Sequence, residues 1–178
     1  MIELMLSSLF IAVLVTLITM SYFNTMKSSE VTISITTSAQ DARTAMNLIT
    51  KDMRELSEIT YASGDEIIFK SNVDSDDYQE EIHYQVIPDD KPGNEGFYEF
   101  TRVVDGGTAK VVVSHLIVSQ VFSYTTGYGQ EPLATPVEAG LLVDIRNVCI
   151  GLSIDQQETV EGTRTINLET SITLRNRI

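Results

Sequence analysis

The chain has 178 residues, 43% of them hydrophobic, with 25 acidic against 12 basic side chains and a formal net charge of -13. That length allows one globular domain and an appendage. So acidic a balance argues against contact with nucleic acid, whose phosphates need clustered Lys and Arg, and against docking on an anionic lipid surface.

The first element is a helix. From Leu4 to Phe23 the sequence holds twenty residues without a charge, and Glu3 stands directly before them. At ~1.5 Å per residue that run spans ~30 Å, about the thickness of a bilayer's hydrocarbon core. No Gly or Pro occurs before Gly64, so nothing ends the helix until about residue 58. A continuous rod of that length would measure ~85 Å. It reads as a hydrophobic transmembrane or filament-core part over 1–26, an amphipathic continuation over 27–58, and a β-rich head over 59–178.

Within the apolar part, Ser8, Ala12, Thr16 and Thr19 recur at three- and four-residue spacing, a small-residue stripe that lets helices approach closely. A cleaved secretory signal fits poorly, because no basic residue precedes the run and no small-x-small site follows it. The nearest basic residue is Lys27, on the far side, which by the positive-inside rule would misplace an exported head. Residues upstream of Met1 are therefore expected.

Glu30 to Thr37 (EVTISITT) is rich in β-branched residues and favours a strand by propensity, but no turn residue separates it from its flanks. Beyond it, Ala42, Ala45, Met46, Ile49, Met53 and Leu56 repeat at helical intervals. Asp41, Arg43, Lys51, Asp52, Arg54 and Glu55 fill the polar face between them.

After Gly64 the period becomes two. Strands are predicted at 66–70, 78–86, 97–104, 110–118 and 120–126, with turns at Pro88-Asp89-Asp90-Lys91-Pro92-Gly93 and Asp105-Gly106-Gly107 and a longer loop over 127–140. Two more strands close the chain. Val143 and Ile145 share one parity while Val148, Ile150, Leu152 and Ile154 share the other, which predicts a β-bulge near Arg146-Asn147. The predicted fold class is α+β: a long N-terminal helix whose second half packs on the apolar face of an antiparallel sheet.

The opening Ile2-Glu3-Leu4-Met5 before about twenty apolar residues resembles the mature N-terminus of type IV pilins and type II secretion pseudopilins. The stretches 42–46 and 49–54 resemble the PilW-type and J-type minor members. So do Phe100-Thr101-Arg102, Phe122-Ser123-Tyr124, Ile145-Arg146-Asn147-Val148 and Leu174-Arg175-Asn176. The resemblance implies a pilin-like fold and a subunit trimmed by a prepilin peptidase, methylated, and held single-pass in the inner membrane with a periplasmic or extracellular head. Its implied partners are membrane lipid before assembly, then other pilin or pseudopilin subunits, an assembly platform protein and an ATPase. The resulting filament would serve a type IV pilus or type II secretion, with minor members priming or capping it. The family has four residues before its glutamate, whereas only Met1 and Ile2 precede Glu3 here.

Glu3 is the leading site residue. A carboxylate at the edge of an apolar helix asks for a cationic partner. The resemblance implies that this is the N-terminal amine of a neighbouring subunit. Asn72, Asp74, Asp76 and Asp77 have a calcium-loop flavour, but an EF-hand needs Gly and Glu where Asp77 and His83 stand, so a solvated turn is expected and no metal. His83 and His115 read as structural, Cys149 as a small buried hydrophobe, and Gly127-Tyr128-Gly129 as a loop. No catalytic motif and no cofactor is expected, which points away from an enzyme. The reading of a different class is a single-pass, membrane-anchored periplasmic binding or sensor domain.

Overall fold

Helix α1 runs without interruption from Ile2 to Arg54 in the computed structural model, which describes residues 2–73, 78–159 and 162–174. The stretch from Glu30 to Thr37 is helical despite its β-branched content. Propagating an existing helix is far cheaper than nucleating one, so flanking turns carry a weak segment. Two compact units divide the chain, residues 1–37 and 38–178, and α1 contributes to both.

In the first unit the residues from Met5 to Ser29 form a helix long and apolar enough to cross a membrane, with none of that surface buried. In the second, Ala42, Ala45, Met46, Ile49 and Met53 turn one face of α1 into the core. Ile49, wholly buried, adds roughly 1.5–3 kcal/mol of transfer free energy. Lys51 and Arg54 in the last turn complement the negative end of the helix.

The sheet is antiparallel and eight-stranded: β1 (Leu56–Ala62), β2 (Glu66–Ser71), β3 (Glu80–Pro88), β4 (Tyr98–Val104), β5 (Lys110–Leu116), β6 (Phe122–Thr125), β7 (Asn147–Thr159) and β8 (Gly162–Thr173). Their order is β1-β2-β3-β4-β5-β7-β6, with β8 on β7. β7 is long enough to be shared: it pairs β6 over Asn147–Ile150, meets β5 at Ile154, and carries β8 along its length. Rings from four strands form a ladder through the core. Phe69, Tyr84, Phe100, Phe122 and Tyr124 follow one another at centroid spacings of 6.2, 5.4, 5.9 and 6.4 Å. The turn after β4 uses positive φ at both Asp105 and Gly106, closed by the Gly107 amide donating to the Val104 carbonyl at 2.9 Å.

Several boundaries differ from expectation. α1 stops at Arg54, short of residue 58, and only Glu55 separates it from β1. Leu56, Ile59 and Ala62 are buried at a period of three because register shifts fall between Leu56 and Glu58 and between Ile59 and Tyr61. A twice-bulged strand thus mimics helical spacing. Tyr78 lies before β3 and is exposed. The parity change near Arg146 is no β-bulge: Ala139–Asp144 forms a 3-10 helical segment that buries Leu142 and exposes Val143, and the strand starts only at Asn147.

Candidate functional site

The first unit is defined by what it leaves uncovered. From Met5 to Met26 the large apolar side chains of α1 are exposed on every side, Met5 by 75% and Val13, one of the least exposed, by 51%. Soluble surfaces rarely carry so large a contiguous apolar area. Such a helix still satisfies its own backbone, so lipid or another apolar helix can surround it at no hydrogen-bonding cost.

Ser8, Ala12, Thr16 and Thr19 fall within an arc of ~80° at 100° per residue, and all four are exposed. Their hydroxyls are satisfied inside the helix. Ser8 Oγ donates to the Met5 carbonyl at 2.9 Å, Thr16 Oγ1 to that of Ala12 at 2.8 Å, and Thr19 Oγ1 to that of Val15 at 2.8 Å. The stripe therefore presents methyl and methylene surface with its polar atoms turned back on the helix. Glu3 lies in the first turn of α1, exposed, where the helix dipole favours a negative charge. Its own carbonyl accepts from Ser7 Oγ at 2.9 Å.

In the second unit the residue that sequence reasoning placed wrongly is Asp52. It does not join the polar face; it is 2% exposed. Its Oδ2 accepts from the Tyr84 hydroxyl of β3 at 2.7 Å and from Arg102 Nε of β4 at 2.8 Å. Its carbonyl, one of the four that a helix end leaves open, accepts from Ser71 Oγ of β2 at 2.8 Å. Burial first, then the neighbouring Asp52 charge and its hydrogen bond, push the Tyr84 phenol well above its ordinary value. Burial opposes the Arg102 charge, but Asp52 and Tyr84 outweigh it and hold the guanidinium pKa above the usual value. Asp52 Oδ1 and Arg102 Nη2 are buried with no hydrogen-bond partner among the described residues. The only advance signal was position: at 100° per residue Asp52 falls about 20° from Ala45, at the edge of the apolar stripe.

The remaining candidates do not converge on one site. Asp74, Asp76 and Asp77 lie outside the described residues, and no cluster of three metal-ligating side chains occurs among those described. His83 Nε2 approaches Glu66 Oε1 to 2.6 Å on the wetter face of the sheet. His115 adopts a left-handed φ of 59° and sets its ring 5.6 Å from that of Phe97. Cys149 is half-buried rather than core: Val148 and Ile150 take the apolar face, which turns Cys149 to the other side, with Sγ 3.5 Å from Ser171 Oγ. Tyr128 is fully exposed in its loop. No protein-family model, curated protein or solved structure matches the chain.

Proposed function

We propose that the chain is a structural subunit, a minor pilin or pseudopilin. It is stored in a membrane through α1 and then assembled with sibling subunits into a type IV pilus-like or type II secretion filament. One observation carries this reading. A single helix presents an uncovered apolar surface over Met5–Ser29, and its last turns form part of the core of an antiparallel β-rich unit. An uncovered apolar helix needs lipid or other helices around it. The inward-bonded hydroxyls of the small-residue stripe leave a smooth face on which such helices can pack.

In this reading Glu3 supplies the one strong polar contact of assembly, pairing with a cationic group of the neighbouring subunit as a helix docks. Prepilin peptidase, an assembly platform protein and an ATPase are the partners that the pathway requires, and the head faces the periplasm or the exterior.

The test is fractionation of cells expressing an epitope-tagged chain. The native chain is expected in filaments sheared from the cell surface or in over-assembled secretion filaments, and Glu3→Ala is expected to stay with the membrane. Membrane retention of the native chain under every assembling condition would favour the single-pass binding or sensor domain. Normal incorporation of Glu3→Ala would remove the role given to that carboxylate.

A further inference from the structure

One residue near the end of α1 is tied to three consecutive strands. Asp52 receives Ser71 of β2 on its carbonyl, and Tyr84 of β3 and Arg102 of β4 on its carboxylate. Two residues later the helix ends, and after Glu55 the chain enters β1 at Leu56. Leu56 pairs with Ser71 at the open end of the β1–β2 hairpin, whose turn lies at the opposite end. A pull along α1 that reached β1 first would therefore open that hairpin pair by pair from its free end. β1 is poorly suited to resist, since two register shifts interrupt its seven residues.

We infer that Asp52 is a mechanical clamp, which takes tension applied along α1 and distributes it over β2, β3 and β4 before it reaches β1. Two of the ties meet at one atom, Asp52 Oδ2, and all three rest on strands that are paired on both sides, so a pull on α1 loads them together. This device concerns the response to force, not equilibrium stability. Buried ionic groups often add little to stability compared with apolar residues of the same volume. The clamp also stands apart from the filament reading, because it can be measured on single molecules.

The experiment uses the full chain in detergent micelles, carrying Cys149→Ser, held at constant force between two attachment cysteines. One axis pulls through α1, between Arg43→Cys and Tyr128→Cys. The control axis avoids the helix, between Asp90→Cys and Tyr128→Cys. The triple variant Asp52→Leu, Tyr84→Phe, Arg102→Met removes the carboxylate ties while keeping the volume apolar. Its unfolding rate at fixed force is expected to rise at least about tenfold more along the α1 axis than along the control axis, tenfold being ~1.4 kcal/mol of barrier. An equal factor on both axes would make the trio an ordinary core contact and overturn the inference. Should the triple variant not fold, Tyr84→Phe removes a single tie with little change of shape. A bias of roughly threefold toward the α1 axis is then expected, and no bias is the overturning result.

Discussion

The Tyr124 hydroxyl donates to the Ser63 carbonyl at 2.8 Å across 61 positions of sequence. It joins β6 to the turn between β1 and β2, and Val121 and Phe122 reinforce the junction by donating their amides to the Gly64 carbonyl at 2.7 and 2.9 Å. Phenylalanine at Tyr124 keeps the ring in its ladder and removes only the donor. Tyr124→Phe is expected to cost about 1–2 kcal/mol, the penalty for a buried carbonyl left short of a partner. Urea unfolding followed by circular dichroism reads it as a shift in midpoint at constant slope.

The same hydroxyl and that of Tyr84 make the second unit sensitive to alkali. Burial, chiefly, raises both phenols above their ordinary value, with Asp65 next for Tyr124 and Asp52 next for Tyr84. Below about pH 10 both folded and unfolded chains keep the protons, so neither tyrosine makes stability depend on pH. Above it the unfolded chain ionises and the folded chain does not, so stability falls as pH rises. Each tyrosine contributes up to about 1.4 kcal/mol per pH unit. The double variant Tyr84→Phe, Tyr124→Phe is expected to show a flatter decline between pH 10 and 11.5 than the native chain.

Ile49 tests the packing of α1 on the sheet, since it is wholly buried at the centre of the apolar face. Ile49→Ala is expected to cost about 2–5 kcal/mol and to lower Tm by on the order of 10 °C, read by calorimetry. Thr44→Ser or Arg43→Ala offers no comparable effect, because those side chains are exposed.

The apolar span is tested by charge. Val15, 56% exposed in the middle of Met5–Ser29, meets lipid or another helix in the proposed function. Val15→Arg is expected to reduce insertion by about 2.5–3.5 kcal/mol. Alkaline carbonate extraction of membranes measures it: the native chain should stay in the pellet and the variant should move to the supernatant.

Much of this architecture is legible in residue spacing, and the exceptions have physical causes. Ile82, Tyr84 and Val86 alternate cleanly because β3 has regular neighbours on both sides. Leu56 misleads because two bulges give β1 the period of a helix. Val143 and Ile145 look like strand residues only by their two-residue spacing: Val143 sits exposed in the 3-10 segment, whereas Ile145 lies just past its end and is buried. Asp52 is buried against expectation. A carboxylate among charged neighbours looks solvated, and only the distant Arg102 and Tyr84 explain its burial. Glu3 and the small-residue stripe lie exposed on a helix, and the contacts proposed for them are with other molecules.

The single residue of slack at Glu55 bears on how this chain can vary. Inserting or deleting one position between Ala42 and Arg54 would swing the stripe that faces the sheet by about 100° and drive charged side chains into the ring ladder. Differences in helix length among descendants of this sequence should therefore accumulate upstream of Ala42. The stretch that follows it would keep its residue count even where its composition drifts.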